Sequence, residues 1–356
     1  MSVFEQVGLR AFRVFDPEYA HGLAIKALKS GLAPGARGQS APDAMLTTSV
    51  AGLPVASPIG VAAGFDKNAE VPDAMLAKGY GFVEIGAVTP RPQAGNEKPR
   101  LFRLTQDRAA INRFGFNNEG LEAIAARLRA RRGPIAPVWA NLGANKDSDD
   151  RAEDYLKVMR GLHGLVGAMT LNISSPNTEK LRDLQGADAL ASLLGRAVAE
   201  RDKLATVGAR TPLFLKIAPD LTSDEIAQIG EIALQAKIDG VIATNTTLSR
   251  EGLRSKHRDE KGGLSGRPLT ARSLAVMGEL RRATGGRLPL IGVGGIETAE
   301  DAYARIRAGA SVVQFYTAMV YHGPGLGARI AAGLADLLRR DGFASPAEAV
   351  GVDIEV

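Results

Sequence analysis

The chain is 356 residues long, carries a formal net charge of +5 and contains no cysteine. Its length allows one large domain or two ordinary ones, and a hydrophobic fraction of 45% is typical of a globular protein and excludes a disordered one. The lack of cysteine excludes disulfides, thiolate zinc sites and cysteine nucleophiles. The positive charge permits an anionic substrate, cofactor or lipid surface, whereas scattered arginines and only 5% aromatic residues argue against nucleic acid. The four histidines lack a metal-binding spacing, so no metal site is predicted.

Residues 1–30 predict two short amphipathic helices. Apolar side chains recur at helical spacing on both sides of Asp16-Pro17, which ends the first helix. Such a hairpin either packs on the main domain or lies on a bilayer, with its phenylalanines immersed and its cations at the headgroups. Residues 31–43 are typical of a linker. We therefore assign the hairpin to residues 1–40 and one main domain to residues 41–356.

After the linker, short apolar runs alternate with helical patterns. Because the runs lack polar alternation, strands with both faces buried are predicted. The predicted strands are 58–64, 81–88, 136–142, 168–174, 212–218, 240–245, 289–294 and 311–316. The predicted helices are 70–79, 118–132, 149–163, 187–205, 222–237, 270–284, 298–308 and 326–340. This alternation predicts a (β/α)8 TIM barrel, with a doubly wound open sheet as the alternative.

Polar residues at the ends of predicted strands favour the barrel, whose active sites lie at that face. They are Lys67, Asn141, Asn172, Lys216, Asn245 and Tyr316. Two insertions are long enough to serve as lids or binding loops. One is 90–116, with a predicted hairpin of strands 101–104 and 109–112, and the other is the basic, glycine-rich segment 247–267.

Two glycine-rich segments are candidates for binding an anion. Gly292-Val-Gly-Gly295 follows the seventh predicted strand and precedes a helix, and barrels often bind phosphate after strands seven and eight. Gly262–Gly266 could close over the same ligand. Tight turns need glycine in any case, so a purely structural explanation stays open.

Lys216 and a group of asparagines point to a ligand. Lys216 lies in an apolar strand, where a lysine is rarely tolerated unless it meets an anion. It is either an ion-paired structural lysine, a Schiff-base lysine or a cation that faces a cofactor that becomes negative. Since an amide donates and accepts hydrogen bonds without charge, the asparagines suggest a flat ligand such as a pyrimidine or a flavin ring. These are Asn112, Asn141, Asn172, Asn177 and Asn245.

The segment 168–178 ends a predicted strand in Ser-Ser-Pro-Asn-Thr. Turns are rich in these residues for backbone reasons, so the segment alone is equally consistent with a capped loop and with a polar site. Pro176 disfavours a helix at Ser175 and bends the chain where the strand ends.

Several long motifs resemble those of the dihydroorotate dehydrogenase family. They are Ala63–Lys67 (AGFDK), Glu84–Gln93 (EIGAVTPRPQ), Lys98–Arg103 (KPRLFR), Ile111–Asn118 (INRFGFNN), Asn172–Thr178 (NISSPNT), Gly262–Pro268 (GGLSGRP) and Gly292–Ile296 (GVGGI). The resemblance extends from the hairpin to about residue 340. The soluble class of this family uses a cysteine base, whereas the quinone-dependent class 2 uses serine and bears an N-terminal hairpin. The chain therefore resembles class 2.

The resemblance implies a barrel that binds FMN at the strand C-termini and oxidises (S)-dihydroorotate to orotate in pyrimidine biosynthesis. The electron acceptor would be a membrane quinone. Ser175 would be the base that takes the C5 proton while hydride moves from C6 to flavin N5, and Lys216 would favour the reduced flavin anion. In a bacterium the protein would be peripheral, on the cytoplasmic side of the cell membrane, with residues 1–30 at the membrane surface.

The other site residues follow from the resemblance, motif by motif. The substrate would be bound by Lys67, Asn112, Arg113, Phe114, Gly115, Phe116, Asn172, Asn177, Asn245 and Thr246. The cofactor would be bound by Ala63, Gly64, Phe65, Asp66, Lys67, Ala87, Asn141, Asn172, Lys216, Thr244, Gly266, Gly295, Tyr316 and Thr317. The quinone path would be lined by His21, Arg103 and Tyr316.

The sequence departs from the family's pattern at two places. Ala87 replaces a threonine, so a side-chain contact to FMN is lost, and Glu179-Lys180 replaces Pro-Gly, so the loop over the substrate is expected to move differently. Because serine is a poor base at neutral pH and no histidine is placed beside it, a relay through Thr178 and a water is our hypothesis. The alternative functions are a Schiff-base aldolase, a soluble fumarate- or NAD-linked dehydrogenase and a non-enzymatic membrane-binding module.

Overall fold

The computed structural model describes residues 14–31, 43–178 and 181–356. The predicted first helix of the hairpin, apart from Val14 and Phe15, and the Glu179-Lys180 pair lie outside these ranges. The strands are β1 (Thr48–Val50), β2 (Leu53–Val55), β3 (Ile59–Val61), β4 (Phe82–Val88), β5 (Leu101–Leu104), β6 (Ala109–Asn112), β7 (Val138–Leu142), β8 (Ala168–Asn172), β9 (Leu213–Ile217), β10 (Gly240–Ala243), β11 (Gly263–Gly266), β12 (Leu290–Val293) and β13 (Ala310–Phe315).

The helices pack mainly around the outside of the strands. They are α1 (Pro17–Lys29), α2 (Pro72–Leu76), α3 (Gly120–Ala130), α4 (Arg151–Leu162), α5 (Ala187–Leu204), α6 (Ser223–Gln235), α7 (Thr270–Ala283), α8 (Ala299–Arg307), α9 (Ala318–His322) and α10 (Leu326–Arg340). Among the described residues, no helix is both long and apolar enough to cross a membrane.

Eight parallel strands close into a barrel in the order β3-β4-β7-β8-β9-β10-β12-β13, with β13 pairing back to β3. The predicted (β/α)8 TIM barrel is therefore confirmed, and the open sheet is excluded because no barrel strand has a free edge. The predicted strands and helices of the main domain all correspond to observed elements, with small differences at their ends. A capping box begins α6: the Thr222 side chain accepts from the backbone N–H of Glu225, and the Glu225 carboxylate accepts from the backbone N–H of Thr222.

The barrel interior is apolar at one end and polar at the other. Because alternate residues of a strand face the same side, Phe82 and Glu84 both point inward from β4, and Phe214 and Lys216 do so from β9. The Phe82 ring stacks on Trp139 with centroids 4.0 Å apart. The polar residues then occupy the layer toward the C-terminal ends of the strands, where the candidate site lies.

Two small sheets close the ends of the barrel. The β1–β2 hairpin places Val50 and Val55 against the aromatic layer at the bottom. At the top, β5 and β6 form the predicted hairpin, and β11, from the second insertion, adds to β6 as a third strand. The sequence did not predict β1, β2, β11 or α9, because each is only three to five residues long and too short to show a period.

Candidate active site

A cavity of about 370 Å³ lies between the C-terminal ends of the barrel strands, the three-stranded sheet and α1. Alternate residues of β5, β6 and β11 form its roof, while their neighbours pack into a separate apolar cluster on the outer face. All but two of the predicted site residues line this single cavity. Its size falls in the usual range for ligand sites.

A chain of amide hydrogen bonds crosses the floor of the cavity. Nδ2 of Asn141 donates to Oε1 of Glu84 at 2.8 Å, and Nδ2 of Asn172 donates to Oδ1 of Asn141 at 2.8 Å. Nδ2 of Asn245 then donates to Oδ1 of Asn172 at 3.2 Å and to Oγ of Ser174 at 3.1 Å. Since a carboxylate can only accept, Glu84 fixes the direction of every amide in the chain.

Lys216 lies on the same floor and is 5% exposed. Burial lowers its pKa, and the negative charge of Glu84 opposes that change. In the described part of the chain, its ammonium has no ion pair within 4.0 Å. An ion-paired structural role is therefore disfavoured, and the arrangement can place a cation beneath a ligand that carries negative charge.

Ser175 lies on the loop after β8, above the amide chain. Its Oγ accepts from the backbone N–H of Asn177 at 3.3 Å, and Nδ2 of Asn177 donates to Oδ1 of Asn112 at 3.2 Å. None of the four histidines hydrogen-bonds Ser175 within the described residues. Thr178, three residues further along the chain, is buried, and its Oγ1 has no hydrogen-bond partner among the described residues.

The loop that carries Ser175 is held by Arg182. Its Nε donates to the carbonyl of Ser174 at 3.2 Å, and its Nη2 donates to the carbonyl of Thr246 at 3.0 Å. An ion pair with Asp220 at 2.8 Å orients the same guanidinium. Arg182 thereby connects the loop after β8 to the loop after β10, and the two loops carry the residues that face the ligand.

Lys67 supplies a second cation, at the edge of the cavity. Its Nζ donates to the carbonyl of Gly64 at 2.8 Å and lies 4.4 Å from the centroid of the Phe114 ring. Burial lowers the pKa of Lys67 to about 8, although the negative charge of Glu18 opposes this change. A partly desolvated ammonium of this kind can bind a carboxylate strongly.

A cradle of glycine residues lies at the other end of the cavity, on the segments that follow the sixth, seventh and eighth barrel strands. Gly295 has φ +70, and a Cβ there would lie 2.2 Å from Oγ1 of Thr270. Gly266 has φ +98, and a Cβ there would lie 2.4 Å from the carbonyl of Arg108. Thr317 closes the cradle through a 2.8 Å hydrogen bond to Ser265. Backbone N–H groups can approach an anion closely at such a place.

The cavity continues beneath α1, where its lining becomes apolar. The hydroxyl of Tyr316 lies 3.2 Å from Nδ1 of His21, and both rings contact Phe65. Burial and the nearby charge of Lys67 lower the pKa of His21 to about 3, so this ring is neutral at physiological pH. Arg103 also lines this end of the cavity.

Two predicted site residues do not reach the cavity. The Asp66 carboxylate accepts from the backbone N–H groups of Glu70 and Val71, each at 2.8 Å, so it shapes the loop after β3. Arg113 pairs with Glu260 at 2.8 Å and lies over the ring of Phe102 on the outer side of the sheet. A direct side-chain contact from Asp66 or Arg113 to a ligand in the cavity is therefore not part of our proposal.

Sequence reasoning missed the supporting roles of Glu84, Arg100 and Arg182. A glutamate within the apolar run Phe-Val-Glu-Ile was a signal for Glu84, because a buried carboxylate requires a partner. Arg100 pairs with Glu18 on α1 at 2.8 Å, and no local pattern connects two residues so distant in the sequence. The same is true of the contacts that Arg182 makes.

Known proteins resemble this chain over almost its whole length. The profile of the dihydroorotate dehydrogenase family matches residues 45–338. A protein of Cereibacter sphaeroides named dihydroorotate dehydrogenase (quinone) is 56% identical over 351 residues, which cover 99% of this chain and 98% of the relative. One of the same name from Rhodospirillum rubrum is 56% identical over 340 residues, covering 95% of this chain and 91% of the relative.

Solved structures give the same result. The crystal structure of the Eimeria tenella enzyme in complex with ferulenol superposes with a TM-score of 0.90 at 41% identity, covering 95% of this chain and 96% of that one. The chain therefore belongs to the dihydroorotate dehydrogenase family, in its quinone-dependent class.

Proposed function

We propose that this protein uses FMN to oxidise (S)-dihydroorotate to orotate and transfers the electrons to a membrane quinone. The observation that carries the proposal is the convergence of Ser175, Lys216 and the asparagine chain on one cavity that continues beneath α1. When bound, FMN would supply the acceptor for the substrate's hydride and the carrier of its two electrons to the quinone. The reaction serves the biosynthesis of pyrimidines.

The residues of the cavity fit FMN. The cradle around Gly266 and Gly295 suits the phosphate, since side chains there would fill the space that the anion needs. Thr244 Oγ1 is buried at the cavity and has no hydrogen-bond partner in the described part of the chain, so it could bind a polar atom of the flavin ring. Lys216 would lie beside the ring, where its charge stabilises an anionic form. Ala87 also lines the cavity but offers no hydrogen bond.

The substrate would be held by the asparagines and Lys67. Asn112 and Asn177 are hydrogen-bonded to each other on the roof side, whereas Asn172 and Asn245 belong to the floor chain. Together they present donors and acceptors in fixed directions, as a planar pyrimidine requires. Lys67 would pair with the substrate's carboxylate.

Ser175 would remove the proton from C5 of the substrate. Its hydroxyl accepts a hydrogen bond from the backbone of Asn177, which favours the developing alkoxide. Thr178 Oγ1, which no group in the described chain binds, would relay the proton of Ser175 through a water toward solvent. Glu179-Lys180, which the family resemblance assigns to a loop over the substrate, lie outside the described residues.

The quinone would enter beneath α1, along the path that His21, Arg103 and Tyr316 line. The exposed rings of Phe15 and Tyr19 lie at the start of α1, with centroids 5.8 Å apart, and suit the interfacial region of a bilayer. Residues 1–40 would thus form a unit for membrane and quinone access, and residues 41–356 the catalytic barrel. In a bacterium the protein would be peripheral, on the cytoplasmic side of the cell membrane.

An absorbance spectrum of the purified protein tests this proposal. We expect a yellow protein whose flavin bands bleach with dihydroorotate under anaerobic conditions and return on addition of a quinone. A colourless protein that forms a borohydride-trapped imine at Lys216 would instead indicate an aldolase. Full turnover with fumarate or NAD, without quinone or detergent, would indicate a soluble dehydrogenase.

A truncation tests the role of the hairpin separately. Removal of residues 1–40 is expected to leave reduction by dihydroorotate intact and to impair reoxidation by long-chain quinones. Unchanged kinetics with such quinones, and unchanged binding to lipid vesicles, would contradict the membrane role of these residues.

A further inference from the structure

Arg305, on α8, is a charged residue that the catalytic roles above do not use. It is 0% exposed, and its Nε and Nη1 atoms have no hydrogen-bond partner within the described residues. Among the described residues, no carboxylate lies within 4.0 Å of its guanidinium. Burial lowers the pKa of Arg305 to about 10, with Asp301 opposing, so the group stays charged at neutral pH. A buried charge without a counterion is strongly destabilising, which points to an anion close by.

The guanidinium lies directly behind the glycine cradle. Its Nη2 atom donates to the carbonyl of Gly294 at 2.8 Å, to the carbonyl of Thr270 at 2.7 Å and to Oγ of Ser273 at 2.7 Å. Ser273 Oγ donates in turn to the same Gly294 carbonyl at 2.9 Å. The Gly294 carbonyl is therefore fixed by two donors, and both lie on the side away from the cavity.

The orientation of the Gly294 carbonyl determines where the N–H of Gly295 points, because both groups belong to the same peptide bond. It is a trans peptide, so its carbonyl and the N–H of Gly295 point in opposite directions. Because the carbonyl points at Arg305, the N–H of Gly295 points into the cavity that Gly295 lines. Within the described residues, no acceptor binds that N–H.

We propose that Arg305 is a positioning residue for the phosphate of the bound flavin, which it recognises from behind the loop. It holds the Gly294 carbonyl away from the cavity, so that the N–H of Gly295 faces the phosphate. It also supplies a positive charge in a region that excludes water. The inference rests on the proposed function, since the anion is the phosphate of FMN. The guanidinium itself does not touch the ligand.

Comparison of FMN with riboflavin tests this inference, because riboflavin carries the same ring and ribityl chain but no phosphate. The full-length protein, freed of flavin by dialysis, is titrated with each compound while flavin fluorescence is recorded. In Arg305→Met, we expect the preference for FMN over riboflavin to fall roughly 10- to 100-fold, as for the loss of a hydrogen bond involving a charged group. The Kd of riboflavin should differ from that of the wild type by less than about threefold.

Control variants distinguish the effect of the Arg305 charge from an effect on folding. Arg307→Met, on the same helix, removes an arginine that pairs with Asp353 at the surface, and it should keep the preference for FMN. Arg305→Lys retains the charge and should retain most of the preference. If Arg305→Met does not fold, Arg305→Gln, which keeps a donor for the Gly294 carbonyl and loses the charge, should show the same selective loss.

The outcomes distinguish this inference from the proposed function. A wild-type protein that binds neither flavin contradicts the proposed function. A wild-type preference for FMN that persists in a folded, neutral Arg305 variant overturns the role of Arg305 alone. Equal weakening of FMN and riboflavin in that variant would likewise overturn it, because it would show that Arg305 only supports the fold.

Discussion

Asn172 donates a 2.8 Å hydrogen bond to Asn141, and the direction of that bond is set by Glu84. An amide can turn by half a rotation and exchange donor for acceptor, but a carboxylate partner permits only one of the two orientations. The orientation passes along the chain to Asn245, whose Oδ1 accepts from the backbone N–H of Thr246 at 2.8 Å. Glu84 therefore determines which atoms of the floor remain free for a ligand.

Glu84→Gln should disturb this order while preserving the shape of the side chain. We expect kcat/KM for dihydroorotate to fall by roughly 10- to 100-fold, because a hydrogen bond to a charged group contributes about 1.5–3 kcal/mol and glutamine can itself donate. The control is Gln314→Met, which replaces another fully buried polar residue, whose amide has no hydrogen-bond partner within the described ranges. Steady-state kinetics that match the wild type in Glu84→Gln would show that the carboxylate does not order the chain.

Variants of two adjacent serines on the loop after β8 distinguish the removal of the proton from the orientation of the ligand. We expect Ser175→Ala to keep its flavin and to slow flavin reduction by dihydroorotate by about 10²- to 10⁴-fold, the usual contribution of a positioned base. Ser174→Ala, which loses contacts to Asn172 and Asn245, should mainly raise KM. Anaerobic stopped-flow absorbance measures both. Equal reduction rates in the wild type and Ser175→Ala would remove Ser175 from the mechanism.

The sequence predicted the barrel and the polar residues at its strand ends for a common physical reason. Strands that are buried on both faces are recognisable as apolar runs, and the polar residue that ends each run lies at the face where barrel sites form. Asn141, Asn172 and Lys216 were found in this way. The resemblance to a family then gave distinct expected roles to residues that composition alone could not separate.

The residues that support the site were not predictable, because their roles depend on partners that are distant in the sequence. Glu18 on α1 meets Arg100 across the fold, and Arg182 joins two loops through backbone carbonyls. A carbonyl has no sequence signature, so an arginine that binds one looks like any surface arginine. Asp66 shows the opposite case, since it lies within a ligand-binding motif and its carboxylate accepts hydrogen bonds from the backbone N–H groups of Glu70 and Val71.

The charge of Lys67 should give substrate binding a measurable pH dependence. Burial lowers its pKa to about 8, so the ammonium is charged below that pH and neutral above it. An anionic ligand favours the charged form, and the Kd of orotate should therefore be constant below about pH 7 and rise by up to about tenfold per pH unit above the pKa of Lys67. Isothermal titration calorimetry from about pH 6 to about pH 10 would measure this.

Two variants identify the titrating group. Lys67→Met should bind orotate weakly at every pH, without the rise above neutrality. Lys29→Met, which removes an exposed lysine that pairs with Glu70, should bind as the wild type does. A rise in Kd that persists in Lys67→Met would assign the pH dependence to another group.

The ion pair between Glu18 and Arg100 attaches α1 to the sheet above the cavity. Arg100 has a side chain only 7% exposed, and Glu18 also meets Lys98 at 3.3 Å. We expect Glu18→Ala to raise KM for a long-chain quinone by about tenfold, as for the loss of one hydrogen-bonded ion pair that is partly buried. The rate of flavin reduction at saturating dihydroorotate should stay unchanged, because α1 lies over the quinone end of the cavity and the loss of the Glu18 charge near Lys67 affects only the binding of substrate. Equal slowing of both half-reactions would show that α1 also supports the substrate end.

Gly295→Ala tests the cradle directly, and Gly342→Ala is its matched control. Both glycines have positive φ, at +70 and +81, so alanine meets a similar backbone penalty of about 1–2 kcal/mol at each. They differ in space, because a Cβ at Gly295 would lie 2.2 Å from Thr270 Oγ1, whereas nothing lies within 4 Å of one at Gly342. We therefore expect both variants to lose some thermal stability and only Gly295→Ala to be purified without flavin. Full flavin content in Gly295→Ala would show that the phosphate does not bind at this loop.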